Sequence, residues 1–373
     1  MAACVPGRRE GGVANVILNL GRELRRSGHE VDCLFREDLL GNADAGRFEA
    51  VTFARKLAEQ ILREKERYTI VNVHAPVGFA YGFLRHLRRS DHLPPYVMTM
   101  HGLEERRVHA MSREHRKGHA WNFTWKNRLW HSVYHQLLYR YCITTADRSI
   151  VLNREAWSYL QIKYDLDCDR VWYTPNGVEE RFLLKREYPL SVLPRLLFVG
   201  TWLDQRGIYY LAHALSVLAD KLPSIRLTIA GCSGSDEIKA VFAEPLRPRI
   251  KVIPFIEAAE MPSVFAEHDV FVFPSLMEGM PLALLEAMAT GMPVVTTETC
   301  GMADVVQDGI NGLLISPADT NALVEAILQL AESVELRRRL GQAAQQSMQN
   351  YTWDKIAQRV EKIFTLAAKN GNC

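Results

Sequence analysis

At 373 residues the chain is too long for one compact core and suits two domains of ordinary size. Hydrophobic residues make up 48% and charged residues 24%, the balance of a soluble globular protein, which excludes a disordered or fibrous chain. The net charge of +2 hides an asymmetry: residues 1–190 carry 30 Lys and Arg against 23 Asp and Glu, and residues 191–373 carry 15 against 20. A basic half joined to an acidic half suggests domains with different partners, the basic one favouring phosphate or an anionic surface. No run approaches the roughly 18 uninterrupted apolar residues of a membrane-crossing helix. The opening MAACVPGRREGG lacks the apolar core of a secretory signal. Cys4, Cys33, Cys142, Cys168, Cys232, Cys300 and Cys373 are odd in number, scattered and without a CxxC pair. That pattern argues against a disulfide framework or a zinc knuckle and for a reducing, cytoplasmic setting.

Short β-branched runs alternate with helical patterns, which predicts parallel sheets built from βαβ units. Val13, Val16, Ile17, Leu20 and Leu24 recur at helical spacing and stop at Gly28, so a helix is expected over 13–27. A strand should precede it, yet only MAACVPG is clearly available, so the opening strand is expected to be short or missing. Strands are expected at Val31–Phe35, Thr69–Val73, Tyr96–Met100, Ser149–Leu152 and Val171–Thr174. Helical patterns cover roughly 79–90, 122–142 and 154–163.

The alternation then restarts. Strands are expected at Leu196–Val199, Arg226–Ala230, Lys251–Ile253, Val270–Phe273 and Val294–Thr297, with helices near 207–222, 235–243, 260–267, 281–290 and 319–332. Residues 179–194 form the natural linker. The expected organisation is a Rossmann-like domain over 1–185, a second over 195–352, and a terminal helix over 353–373. Ile356, Val360, Ile363, Phe364 and Ala367 give that helix an apolar stripe that would pack back on the first domain. Ligands are expected at strand carboxyl ends, in an interdomain cleft.

The most informative stretch is Phe273-Pro-Ser-Leu-Met-Glu278-Gly-Met-Pro281-Leu-Ala-Leu-Leu-Glu286-Ala-Met-Ala-Thr-Gly291-Met-Pro293-Val-Val. A buried strand ends at Pro274, a glycine-containing turn follows, and Pro281 suits the first position of a helix. The free N–H groups and positive dipole end of such a helix attract phosphate. Glu278 lies at the mouth of this turn, and Glu286 lies inside the helix among Leu282, Leu285, Ala287 and Ala289. A carboxylate in such company is costly unless it finds hydrogen-bond donors, and the paired hydroxyls of a ribose would serve. The bland alternative is a helix cap and a partly exposed face.

Two glutamates eight apart, enclosing Gly-x-Pro-Leu and followed by EAMAxGxPVV, make the chain resemble the glycosyltransferases of family 4 over nearly its whole length. The resemblance implies the GT-B arrangement of two Rossmann domains, a retaining mechanism, no bound metal and no cofactor beyond a UDP- or GDP-linked nucleotide-sugar. It implies that Glu278 sits beside the donor sugar, that Glu286 holds the ribose, and that the backbone of Gly279, Met280, Pro281 and Leu282 lines the donor site. In Leu197-Phe-Val-Gly200-Thr201-Trp-Leu-Asp-Gln-Arg206-Gly207 the family commonly has two cations that clamp the pyrophosphate. Arg206 keeps the second, and Thr201 replaces the first. The resemblance also places Gly12 of Gly11-Gly12-Val13 against the donor phosphates and His101 of His101-Gly102 towards the donor sugar. His74 is a weaker candidate of the same kind, and with Arg106 and Arg107 it marks an acceptor side. The turn Pro175-Asn176-Gly177-Val178 reads as architecture.

Residues 104–141 hold eight cations against three acids, interleaved with Trp121, Trp125, Trp130 and Tyr134. On the acceptor side such a surface would meet a lipid-linked or saccharide acceptor, or the inner face of a membrane peripherally; a solvated helix with a packed aromatic face is the plain alternative. Nucleic acid is not expected, since no motif for it is present. Asp165-Leu-Asp167-Cys-Asp169 looks like a metal site but has Arg170 and Asn176 where a calcium loop needs glycine and glutamate, so it reads as a solvated turn. The function expected is a retaining glycosyltransferase of polysaccharide, lipopolysaccharide or glycolipid synthesis. A nucleotide-sugar epimerase or phosphorylase on the same fold, or an inactive nucleotide-sugar-binding homologue, is the alternative.

Overall fold

The structure, a computed structural model, describes residues 1–7, 12–41, 46–88, 92–119, 136–183, 186–188 and 194–370. The chain divides into two compact units, one of Met1–Val108, Trp125–Gly177 and Trp353–Cys373, the other of His109–Thr124 and Val178–Thr352.

The first unit is built on parallel strands β1 (Val71–His74), β2 (Tyr96–Met100), β3 (Arg148–Val151) and β4 (Val171–Tyr173), hydrogen-bonded in that order. Two short segments extend the sheet beyond β1. Ala2 bridges in parallel to both Leu34 and Val73. The Ala2 N–H donates to Asn72 C=O, the His74 N–H to Ala2 C=O, the Ala3 N–H to Leu34 C=O and the Leu34 N–H to Met1 C=O. The opening strand is therefore short but present, and of the expected strand Val31–Phe35 only Leu34 forms a bridge. The order of sheet segments is second, first, third, fourth, so the winding reverses between Ala2 and β1.

Helices cross between these strands: α1 (Gly12–Arg26), α2 (Arg36–Leu40), α3 (Glu49–Arg63), α4 (Phe79–Leu87), α5 (Glu104–Arg116), α6 (Gln136–Thr145) and α7 (Arg154–Tyr164). The helix α3, not anticipated above, buries Phe53, Leu57 and Ile61 against Val73, Tyr96 and Met98 of the sheet. Each such side chain, fully buried, contributes about 1.5–3 kcal/mol. Ala14 and Ile17 of α1 close over Ala3 and Phe35. The terminal helix Trp353–Asn370 packs on α1. Of the expected helix 122–142, only the part from Gln136 belongs to the described residues.

The second unit has six parallel strands: β5 (Arg195–Val199), β6 (Arg226–Ala230), β7 (Ile250–Ile253), β8 (Val270–Phe273), β9 (Val294–Thr297) and β10 (Leu313–Ile315). Their order is β10-β9-β8-β5-β6-β7, the doubly wound Rossmann order, with its reversal between β5 and β8. Strands β8 and β9 are buried along their whole length; β8 is a continuous apolar run, as a strand covered on both faces tends to be, and in β9 the buried Thr296 and Thr297 hydroxyls donate to the Phe273 and Ser275 C=O groups. The crossovers are α8 (Ile208–Lys221), α9 (Ser235–Ala240), α10 (Met261–Ala266), α11 (Leu282–Ala289) and α12 (Cys300–Val305), and α13 (Thr320–Glu332) and α14 (Val334–Met348) follow β10. Side-chain oxygens of Asp319 and Ser333 accept from the N–H groups of Ala322 and Leu336, capping α13 and α14.

Candidate active site

In a doubly wound sheet the connections leave the two strands at the reversal in opposite directions, which opens a crevice at their carboxyl ends. In the second unit those strands are β5 and β8. Both stretches singled out by sequence leave from this point, Gly200–Gly207 after β5 and Pro274–Pro281 after β8.

The two stretches are tied together. The Gln205 C=O accepts from the Leu276 N–H at 2.8 Å and from Ser275 Oγ at 3.1 Å. Gly207 starts α8 with φ +70°, and a Cβ there would lie 2.0 Å from the Pro274 carbonyl oxygen. Only glycine fits both the left-handed backbone and the close approach. Gly301, at the start of α12, holds the turn from the other side: its N–H reaches the Glu278 C=O at 3.3 Å, and a Cβ on it would sit 2.1 Å from the Gly279 oxygen.

Arg206 ends a 3₁₀ turn over Asp204–Arg206, and its guanidinium folds back across Gly200, where a Cβ would lie 2.4 Å from Nη1. Its charge stands 5.2 Å from the Phe273 ring centroid. Arg206 Nε lies 3.3 Å from Glu278 Oε1. The pair is ionic without being a formed hydrogen bond: both atoms are buried, and neither has a hydrogen-bond partner among the described residues. The Gln205 side chain hydrogen-bonds Glu278. Burial pushes the Glu278 carboxyl above the usual carboxylate range, and Arg206 and Gln205 draw it part of the way back. Buried polar atoms are nearly always hydrogen-bonded, and Glu278 Oε1 and Arg206 Nε are exceptions among the described residues, each facing only the other's charge.

Glu286 stands in the middle of α11 between the fully buried Leu285 and Ala287. Burial pushes its carboxyl up to about 7; Arg181 opposes that shift and Glu179 adds to it. Arg181 is itself committed, its Nη2 to Glu179 at 2.7 Å and its Nη1 to the Ala258 C=O at 2.5 Å. Met280 is buried and Leu282 opens the helix. Pro281 was expected as the first helical residue; it sits one position earlier, as the N-cap, with ψ 119°. Its extended ψ ends the turn, and its C=O accepts from the Leu284 and Leu285 N–H groups. Thr201 is exposed at the end of β5.

In the first unit His74 closes β1 and His101 follows β2, so both stand at the carboxyl edge of the sheet. His74 Nδ1 lies 2.5 Å from His101 Nε2, with the rings 18° from parallel and their centroids 4.8 Å apart. Burial holds both imidazoles neutral, lowering His101 to about 4 and His74 well below its usual value. Gly12 opens α1 from the end of the first strand, while Gly11 lies outside the described residues. Arg106 pairs with Glu155 at 2.8 Å and Arg107 with Glu104 at 2.5 Å, so both cations that the sequence suggested for an acceptor side are engaged within α5 and α7.

Of residues 104–141, Trp121, Trp125, Lys126, Arg128, Trp130 and Tyr134 lie outside the described residues. No described helix is long and apolar enough to cross a membrane. Asp165 is the left-handed C-cap of α7, with φ 51°. Among the described residues no three His, Cys, Asp or Glu side chains gather as metal ligands.

Sequence reasoning missed Gln205, Ser275 and Gly301, and also the pair Glu179 and Arg181. Gln205 and Ser275 lie inside the two stretches already singled out. Gly301 and Arg181 reach the site from distant sequence and carry no local signal.

The sequence family described as glycosyl transferases group 1 matches residues 193–333, and glycosyltransferase family 4 matches residues 10–182. A D-inositol 3-phosphate glycosyltransferase of Corynebacterium glutamicum is 25% identical over 412 aligned positions, covering 98% of this chain and 94% of that protein. Sucrose-phosphate synthase from Thermosynechococcus elongatus superposes with a TM-score of 0.74 at 21% identity, over 95% of this chain and 93% of that one. Anabaena HepE, solved in complex with UDP and glucose, superposes with a TM-score of 0.69 at 16% identity, over 98% of each chain. Two parallel doubly wound sheets, a site at the reversal of the second, and family matches that span both units agree: the chain belongs to glycosyltransferase family 4 and is a glycosyltransferase of the GT-B fold.

Proposed function

We propose that this glycosyltransferase takes a sugar from a UDP- or GDP-linked donor and passes it, with retention of configuration, to a hydroxyl of a saccharide or lipid-linked acceptor in polysaccharide, lipopolysaccharide or glycolipid synthesis. The carrying observation is Glu286, a carboxylate inside α11 with no bonding partner among the described residues, eight positions after a half-paired Glu278. Two adjacent ribose hydroxyls would supply the donors that Glu286 lacks. Arg206 and the N-termini of α8 and α11 would balance the diphosphate charge, in place of a bound metal. Glu278, held by Arg206 and Gln205, would accept from hydroxyls of the donor sugar. As the glycosidic bond loosens, the departing phosphate oxygen would take the acceptor's proton, and the protein's contribution would be fixed charge and dipole rather than a strong base. HepE, which shares the fold, binds UDP and glucose, in keeping with this reading.

The test is thermal stability with UDP, GDP, ADP and CDP in turn, on the wild type and on Glu286→Ala. A nucleotide at about 100 times its Kd adds nearly 3 kcal/mol. A shift with UDP or GDP that disappears in Glu286→Ala is the expected result. A shift that survives the substitution removes the ribose role, and no shift with any of the four removes the nucleotide reading.

A further inference from the structure

We infer that His74 is a positioning residue for His101: it donates its Nδ1–H to His101 Nε2, holds that ring in the Nδ1–H tautomer, and so makes His101 a neutral hydrogen-bond donor towards oxygen atoms of a saccharide bound at this edge of the first unit's sheet. The inference rests on the proposed function for the identity of the ligand, but not for the tautomer.

A single proton lies between the two rings. His74 Nδ1 and His101 Nε2 are 2.5 Å apart, so one must donate and the other accept. If His101 donated, His74 would carry its own proton on Nε2. That atom is buried, on a residue only 2% exposed, and has no partner among the described residues. An orphaned buried N–H is among the rarest arrangements in folded proteins, and a bare lone pair is the lesser cost. The proton therefore belongs on His74 Nδ1. His101 must then accept through Nε2 and carry its own proton on Nδ1, which has no partner among the described residues but, unlike His74 Nε2, is not a buried atom and belongs to a residue that is only partly buried. Setting one ring nitrogen by the bond made at the other is the usual way a histidine tautomer is chosen. A free imidazole in water prefers the opposite, Nε2–H form, so without His74 the ring would present an acceptor instead. The neutral state of both rings agrees with this assignment, and it removes general-base catalysis by His101 as a requirement.

The test uses the full chain labelled with ¹⁵N-histidine and a two-bond ¹H–¹⁵N correlation at pH 7, with His101 assigned by its loss in His101→Ala. Wild type should show His101 protonated on Nδ1 and bare on Nε2. His74→Asn, whose side-chain N–H can reach the position of the histidine Nδ1–H, should keep that pattern. His74→Phe fills the space without a donor and should turn His101 mainly to Nε2–H. With the nucleotide-sugar matching the nucleotide that stabilises the enzyme, His74→Phe should lose about 5- to 100-fold in kcat/KM, the range for one lost buried hydrogen bond, and His74→Asn only a few-fold. The thermal shift given by UDP or GDP should be the same in all three proteins, because the groups proposed to hold the nucleotide belong to the second unit. An Nε2–H tautomer in the wild type, or a His101 pattern untouched by His74→Phe, overturns the inference. If no nucleotide binds, the proposed function fails while the tautomer measurement still decides this one, and the wild-type spectrum decides it even if His74→Phe does not fold.

Discussion

Replacing Glu286 by glutamine should stabilise the ligand-free enzyme while abolishing what the residue is for. Glutamine has the same shape and no charge, so the substitution removes only the cost of burying a carboxylate among Leu285, Ala287 and the rest of α11. That cost follows from the carboxyl's rise from 4.5 to about 7. The folded state holds a proton that the unfolded state has lost, so the group weakens the fold increasingly as pH climbs from 4.5 to about 7, and its penalty is constant above that. At about 1.4 kcal/mol per tenfold, the span sets a ceiling of about 3.5 kcal/mol, and solvent reaching the half-buried side chain should reduce it to about 1–2 kcal/mol. The assay is urea denaturation followed by tryptophan fluorescence at pH 4.5, 6, 7 and 8 on both proteins, without nucleotide. Glu286→Gln should match the wild type at pH 4.5 and exceed it at pH 8. A variant less stable than wild type at pH 8 would refute the reasoning, since it would mean that protein donors already satisfy the carboxylate. A site residue that destabilises its own apo protein is the usual mark of a group whose partner is a ligand.

Three glycines separate conformational strain from collision in the same kind of experiment. Gly12→Ala has neither problem and should leave stability within about 0.5 kcal/mol of wild type. Gly309→Ala meets only its φ of +68° and should cost about 1 kcal/mol. Gly207→Ala adds a Cβ 2.0 Å from the Pro274 oxygen and should cost well beyond that, together with the nucleotide-induced thermal shift; equal melting temperatures for Gly207→Ala and Gly309→Ala would contradict the close approach. Asp165→Gly relaxes an exposed left-handed cap and should add about 0.5–1 kcal/mol, measured by urea denaturation, whereas a loss of stability would point to a role for the Asp165 carboxylate beyond the turn.

Much of the second unit was legible before its structure. Val270–Phe273 and Val294–Thr297 read as strands because each is a short run of β-branched or aromatic residues, and their bounds match the sequence reading to the residue. The turn and the two glutamates beyond β8 were legible for a related reason: a carboxylate among leucines and alanines is conspicuous in one dimension. Helices α12 and α14 were not read, the first because six residues cannot show a period, the second because its buried positions include Arg337 and Gly341 among polar neighbours.

What the sequence determined by itself was therefore local: the alternation that makes doubly wound sheets, the apolar strands, and the residue types at the carboxyl end of β8. What only the tertiary structure decided was every relation across long separations in the chain. Met1 to Ala3 show no strand signal, and Ala2 joins the sheet because Leu34 and Val73 offer parallel edges on either side of it. Arg206 and Glu278 stand 72 positions apart and meet because the winding reverses between β5 and β8. His74 and His101 are 27 apart, and they share one proton because β1 and β2 are neighbours in register, which brings the two strand ends to the same edge. Backbone hydrogen bonds and burial choose such partners by position in space, and no pattern along one strand can encode where the other will lie.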